Sequence, residues 1–446
     1  VNRRRVVITG LGPVTPLGTG AATFWNALLE GRSGIRRIQA FDPARFESQI
    51  GGEIDGIKVA DYIPKSYRKS AKIMARDIEL AVVAAHQAVT DAGLRTKCLL
   101  ERGEASGERN VDSTRFGANI GAGLICADLA ELAEALRSAA LDGQFSMARW
   151  GAEGMSNLTP LWLLKFLPNM LACHVTIIHD AQGPSNTITC GEASSHLAIG
   201  EAFRTIARGA ADVCICGGAE SKDNPMALMR QCLGHRLSER NDTPQRACRP
   251  FAADRDGTVV SEGGGLVILE ELEHARARAA RIYAEVVGFG ASSDACSPGQ
   301  PSRPAPGGRG IALALRKALK DAGVSPDQVD LISTFGCGMI EHDRAEAAGI
   351  RSVLGERVAQ LPVLNTRGGL GNNGAGSGAI DLIATVLAMH NTTIPPAINS
   401  EPIDPDCGLK LVTGQPVDAK IDLALSAAYA LGGGQNAALV IRRLRQ

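Results

Sequence analysis

Aromatic side chains are scarce in this 446-residue chain, where Phe, Trp and Tyr together make up 4%. A core built on stacked rings is excluded. With 51 glycines, the chain must pack small residues at short range instead. Net charge is also missing: 47 basic residues balance 47 acidic ones. No global field draws in nucleic acid or a membrane surface, so partner preference must come from local patches. No apolar run is long enough to span a bilayer. The most apolar window, LTPLWLLKFLPNMLA, is broken by Lys165 and Pro168 and reads as a core helix. The start, VNRRRVVITG, is basic but lacks the apolar stretch of a secretory signal. The 11 cysteines have no disulfide rhythm, and no Cys or His pairs stand at zinc-site spacing. Cys214 and Cys216 of DVCICGG share one strand face. They read as reduced, buried thiols of a cytoplasmic protein. Neither a metal nor another cofactor is expected.

What is present is ordinary for a globular protein, 45% apolar and 21% charged residues, at a length that allows two or three domains. Strand patterns alternate with helical ones, which implies an α/β architecture. The chain also looks doubled. RRVVITGLG is echoed by RIYAEVVGFG, and IELAVVAAHQAVTDAGL by IALALRKALKDAGV. RFGANIGAG is echoed by QVDLISTFGCG, and TITCGEASSHLAIGEAFRTIARG by LPVLNTRGGLGNNGAGSGAIDLIATVLAMH. The two helices close on Asp-Ala-Gly, where glycine suits a left-handed C-terminal position. Four matched elements in one order predict duplicated βαβ-type halves, residues 1–270 and 271–446. The polar segment 101–114 reads as a surface insertion, and the Ser-, Pro- and Gly-rich segment 291–310 as an irregular loop.

In each half the last turn places one side chain at a helix N-terminus, where unpaired N–H groups favour negative charge. In the first half that residue is Glu192; in the second it lies within GLGNNG, near Asn372. Cys190, two residues before Glu192, falls inside the strand and reads as a structural thiol. His196 lies one helical turn after Glu192, either as a core histidine or as the partner in a proton-moving Glu–His pair. GLGNNG also spells G-x-G-x-x-G between a strand and a helix, but no acidic residue follows at the distance a dinucleotide site needs. KSYRKSAKIMAR carries Lys65, Arg68, Lys69, Lys72 and Arg76 without an acid. Their three- and four-residue spacing predicts one basic stripe of a helix.

Several stretches together carry a resemblance: RRVVITGLGPVTPLG, FWNALLEGRSGI, GPSNTI, ADVCICGGAES, RPFAADRDGTVVSEGGG, IYAEVVGFGASSDA, DRAEA and IPPAIN. The chain resembles a β-ketoacyl-acyl carrier protein synthase, a ketosynthase of types I and II, over nearly its whole length. The resemblance implies the thiolase-like five-layer αβαβα fold and a dimer. It implies a Cys nucleophile at the first turn and two His residues in the second half. Position by position, Glu192 stands for the nucleophile, Phe335 for the first His and Asn372 for the second. Arg367 stands for a lysine just upstream, and Glu346 matches a family acid. The glycine loop reads ALGGG, with Ala430, Leu431 and Gly432 in place of a Phe-Gly-Phe run. On the resemblance the first N–H of that loop, at Ala430, helps form an oxyanion hole, and the lost aromatic is a gate. Arg367 is also a candidate counter-ion for Glu192 or Glu346, or a structural ion pair.

These replacements change the chemistry. An acyl group on Glu192 would be a mixed anhydride, far higher in energy than a thioester. An ionised Glu192 would repel both an acyl oxyanion and a malonyl carboxylate, by about 4 kcal/mol at ~4 Å and intermediate dielectric. Phe335 moves no proton, and Asn372 donates a hydrogen bond without being an acid or base. The expectation is a ketosynthase-type protein of fatty acid or polyketide biosynthesis that has lost condensation. It would act like a chain-length factor, as a homodimer or as a heterodimer with an active ketosynthase. Acyl carrier protein, or an acyl thioester, would be its other partner, docked on Lys65, Arg68, Lys69, Lys72 and Arg76, with no nucleic acid and no membrane span. Two further readings are an enzyme of non-condensing acyl-thioester chemistry with Glu192 as base, and a dinucleotide-binding oxidoreductase.

Overall fold

The computed structural model describes residues 3–294 and 304–444. Its spine is a sheet whose centre is a pair of equivalent strands, Val6–Thr15 and Ala284–Ser293, joined antiparallel at Val6–Ile8 and Ala284–Val286. Outward from Val6–Thr15 follow Val260–Glu271, Val213–Ser221, Phe116–Ala122 and Ser185–Ile188. Outward from Ala284–Ser293 follow Gln435–Arg442, Leu423–Tyr429, Leu331–Ser333 and Pro362–Leu364. On both sides the inner pairings are antiparallel and the outer ones parallel. The parallel strands need helical crossovers, which is why strand and helix patterns alternate in the sequence.

Helices cover the strands in layers. Arg76–Asp91 and Met170–His179 lie outside the first set, and Arg309–Ala322 and Ile340–Leu354 outside the second. Between the sets run Ser194–Ala207 and Ser377–Asn391. Residues 377–389 of the latter are buried without a break, as a helix enclosed on all sides must be. The order is helix, strand, helix, strand, helix: the layered α/β fold anticipated from the sequence.

The repeated motifs do matching work. The aspartate of each Asp-Ala-Gly caps the neighbouring strand, with Leu11 N–H donating to Asp91 Oδ2 and Phe289 N–H to Asp321 Oδ2, both at 2.9 Å. The glycine that follows is left-handed in each case, φ 65° at Gly93 and 64° at Gly323. Small residues let strand and helix touch. A Cβ at Gly12 would stand 2.1 Å from Ala84 O, and one at Gly290 2.1 Å from Ala314 O. Gly12→Ala and Gly290→Ala should each lower the urea-unfolding free energy by about 2 kcal/mol, since the backbone must part to admit a methyl. Gly432→Ala, with no atom within 4 Å of the new Cβ, should change it by less than about 0.5 kcal/mol.

Three expectations need correction. LTPLWLLKFLPNMLA is not a core helix. Leu161 is left-handed (φ 65°), Trp162–Phe166 form a 3₁₀ turn, and the helix begins only at Met170, beyond Pro168. Leu161 and Leu163 are 63% and 59% exposed. The basic stripe is not one helix either. Lys65–Tyr67 and Ser70–Ile73 are separate 3₁₀ turns, and the α-helix starts at Arg76. The segment 291–310 is not wholly loop. Ala291–Ser293 finish a strand and Arg309 opens a helix, while 295–303 lie outside the described residues. Among the described residues, no helix is long and apolar enough to cross a membrane.

Candidate functional site

The strand Ser185–Ile188 runs into a tight turn before the helix Ser194–Ala207. Gly191 turns the chain with φ 56°. Ser194 locks the turn: its Oγ donates to Gly191 O at 2.6 Å and accepts from Cys190 N–H at 2.8 Å. The turn carries Glu192 inward, where it is 5% exposed.

Three other segments converge on that carboxylate. Lys222 Nζ donates to Oε1 at 2.6 Å, Asn372 Nδ2 donates to Oε1 at 3.0 Å, and Leu431 N–H donates to Oε2 at 2.9 Å. Burial pushes the Glu192 carboxyl up, but the Lys222 ammonium and these hydrogen bonds outweigh it and hold the group down at about 2. Glu192 is therefore an anion at neutral pH. Its partners come from across the fold, not from its own helix terminus. Burial pushes Lys222 down, while Glu192 and Glu220 more than restore it, so the ammonium is also charged. Glu220 is pushed up by burial and by Glu192, against the pull of Lys222 and of the Ala375 N–H it accepts at 2.7 Å.

Asn372 is held in place by its own backbone. Its N–H donates to Val259 O, its carbonyl accepts from Ser261 N–H, and its Oδ1 accepts from Gly374 N–H at 2.9 Å. Leu431 is the residue of the glycine loop whose N–H points into the site. Ala430, the donor the resemblance implies, instead closes the hairpin with its N–H on Gln435 O at 2.9 Å. Gly432, next in the loop, has open space around it.

Other expected members stand apart. Arg367 is no counter-ion for Glu192 or Glu346. It is wholly buried and pairs with Asp381 at 2.5 Å, with further bonds to Asn373 Oδ1 and Thr366 Oγ1. The reason is local: its short helix, Arg367–Leu370, aims the guanidinium at the start of Ser377–Asn391. His196 does not pair with Glu192. Its Nε2 meets Ser426 Oγ at 2.9 Å, and burial pushes its pKa down to about 4, so it is a neutral core histidine. Phe335 is buried edge-on against Tyr429, ring centres 5.1 Å apart. Glu346 accepts the Phe335 and Gly336 N–H groups, each at 2.8 Å, and so braces that turn. Cys190 is half-buried beside the strand end, and burial pushes its thiol up, so no thiolate competes with Glu192. GLGNNG is packed in the interior, where a Cβ at Gly374 would stand 1.9 Å from Glu220 Oε2. No phosphate could reach that loop, which corrects the dinucleotide reading.

Sequence reasoning missed Lys222 and Glu220. The signal was available: they stand two apart where the strand Val213–Ser221 ends, a spacing that puts both on one face. It also missed Tyr429 and His342, whose rings stack near the loop at 6.2 Å. Of the basic patch, Lys65, Arg68, Lys69 and Lys72 are exposed. Arg76 instead turns inward, donating to Glu262 and to Ile54 O at 2.7–2.8 Å. Among the described residues there is no group of three or more His, Cys, Asp or Glu side chains placed to hold a metal ion.

The layered architecture with this loop-and-turn site at its centre is that of the thiolase-like ketosynthases. Two family descriptions match the sequence: "Beta-ketoacyl synthase, N-terminal domain" over residues 3–275 and "Beta-ketoacyl synthase, C-terminal domain" over residues 283–401. The chain belongs to the β-ketoacyl synthase family. It is 37% identical over 434 residues to 3-oxoacyl-[acyl-carrier-protein] synthase 2 of Synechocystis sp., covering 97% of each chain. With the protein of that name from Coxiella burnetii it shares 34% identity over 448 residues, covering 100% of both. Among solved structures it is similar to a type II PKS acyl-carrier protein in complex with its ketosynthase bound to the hexaketide, with TM-score 0.83, 29% identity and coverage of 99% and 100%. It is also similar to the ishigamide ketosynthase/chain length factor, with TM-score 0.82, 30% identity and the same coverage.

Proposed function

We propose that this chain is a ketosynthase-family protein whose own condensing site is closed, and that it serves as the partner subunit of an active ketosynthase. One observation carries the reading. The Leu431 N–H, the donor an acyl oxyanion would need, is already given to the ionised Glu192 carboxylate. A thioester approaching this turn meets a fixed negative charge, a Cys190 thiol that burial keeps protonated, and a Leu431 N–H that is already taken. Glu192 stands where the family keeps its reactive cysteine, Phe335 and Asn372 where it keeps its histidines. Neither replacement can take up or return a proton near neutral pH. The halves 1–270 and 271–446 each supply one side of the closed site. The protein is cytoplasmic and acts beside carrier-bound acyl chains.

The experiment is co-expression with an active ketosynthase of the same pathway. The two chains should co-purify at one-to-one stoichiometry, and the acyl products should change in length when this chain is present. Absence of a complex, with products unchanged, rejects the proposal. The reading of Glu192 as a general base is disfavoured by its charge state, because a carboxyl held at about 2 is a poor proton acceptor.

Carrier docking rests on the four exposed cations. Reversing Lys65 and Lys69 to Glu should weaken binding of an acyl carrier protein at least about tenfold at low salt, as measured by calorimetry. Charge reversal at Arg76 would instead break its ion pair with Glu262, and unfolding would report it.

A further inference from the structure

Within the cationic segment the backbone does little to fix where the charges stand. Lys65–Tyr67 and Ser70–Ile73 are turns of three and four residues, with no capping side chain and no buried residue. Three of the bonds that close them are long. Arg68 N–H to Lys65 O and Lys72 N–H to Lys69 O are 3.4 Å each, and Ala71 N–H to Arg68 O is 3.3 Å. Turns this short gain little from their own hydrogen bonds and depend on what they pack against. Buried Ile63 and Met74 anchor the segment at its two ends. Between them Tyr67 and Ala71, both partly buried, pack against the core of the first half.

Tyr67 carries the polar anchor. Its hydroxyl lies 2.9 Å from His174 Nδ1, and its ring meets the imidazole edge-on, ring centres 5.8 Å apart. His174 is 2% exposed and sits on the helix Met170–His179. Its other nitrogen, Nε2, has no hydrogen-bond partner among the described residues. Burial pushes its pKa down, so the ring is neutral, and either tautomer serves Tyr67 through Nδ1. A buried imidazole on a rigid helix thus holds a side chain that rises between four exposed cations.

We propose that His174 is a positioning residue for the cationic surface: through Tyr67 it fixes the two turns, and with them the spacing of Lys65, Arg68, Lys69 and Lys72, for an acidic carrier protein. This role rests on the carrier-docking reading and adds what preorganises that surface. A surface already in its bound form loses less freedom when the partner arrives, so the contact raises affinity without touching the partner. The contact leaves the charges themselves unchanged. The salt dependence of docking therefore belongs to the lysines and the arginine, not to His174.

The test pairs hydrogen exchange over residues 63–74 with calorimetric titration of the full chain by an acyl carrier protein. Tyr67→Phe removes the hydroxyl and keeps the ring; His174→Phe removes the nitrogens and keeps a ring. Each should speed exchange of the turn amides and weaken carrier binding at least about threefold, with the salt slope of the wild type. The double variant should bind no more weakly than either single one, because both remove the same contact. His174→Asn sets a carboxamide near the place of Nδ1 and should restore binding to within about twofold of the wild type. If His174→Phe does not fold, Tyr67→Phe gives the same reading from the half-buried side of the contact. Exchange needs no carrier, so faster exchange in a chain that binds no carrier rejects the docking reading and upholds the hold of His174 on the turns. Unchanged exchange in Tyr67→Phe overturns the proposal, as does His174→Asn binding as weakly as His174→Phe, or a salt slope that changes in the single variants.

Discussion

Glu192→Gln should lower the unfolding free energy by about 3 kcal/mol at pH 7, measured by urea titration. The substitution keeps the shape of the side chain and an oxygen for the Leu431 N–H. It removes the charge that Lys222 Nζ hydrogen-bonds at 2.6 Å, and the lysine side chain is 6% exposed. The ammonium is then left buried against Glu220, which burial itself pushes toward its neutral form. Breaking one side of a buried ion pair is expensive because the other side cannot return to water. Removing both sides is not: Glu192→Gln with Lys222→Met should recover to within about 1 kcal/mol of the wild type. The coupling energy from the four proteins should then be at least about 2 kcal/mol. A Glu192→Gln protein as stable as the wild type would mean that Lys222 has another anion, and the closed-site reading would lose its electrostatic basis.

The contrast between what could and could not be read in the sequence follows from range. The Asp-Ala-Gly ends, the strand glycines and the elbow at Gly191 are local features, and each did what its chemistry required. Asp91 and Asp321 even cap their strands in the same way. Partners across the fold were another matter. Arg367 reads as either a counter-ion of the site or a structural ion pair, and only the Arg367–Leu370 turn, which directs it to Asp381 fourteen residues on, decides for the second. Arg76 was counted with a surface stripe, yet Glu262 lies 186 residues away and draws it inward. Lys222 went unnoticed because a lysine past a strand end reads as solvated surface. Only the arrival of the Asn372 and Leu431 segments at Glu192 makes it a buried cation. The apolar window at 158–172 failed for a local reason: Pro160 and Pro168 interrupt it, and Leu161 and Leu163 between them stay exposed.

The same ion pair sets an acid limit on stability. Glu192 titrates at about 2 in the folded protein, against 4.5 for an ordinary glutamate, which is its value in the unfolded chain. A depressed carboxyl stabilises the fold wherever it is ionised, so the contribution is complete above about pH 4.5. It falls as the pH drops through the window from 4.5 to 2, because the unfolded chain takes up its proton first. The full effect is about 3 kcal/mol, and about 2 kcal/mol of it is spent by pH 3. Lys222 adds nothing in this range, since its ammonium is charged throughout. Between pH 5 and pH 3 the wild type should therefore lose about 2 kcal/mol more than the Glu192→Gln/Lys222→Met protein, in which neither group titrates. Acids away from the pair titrate equally in both proteins and cancel in that difference, and Glu220 loses the opposing influences of Glu192 and Lys222 together. Parallel stability curves would place the Glu192 pKa near its ordinary value. The carboxyl would then be a usable base at the turn, and non-condensing acyl chemistry would regain the ground that its ionised state denies it.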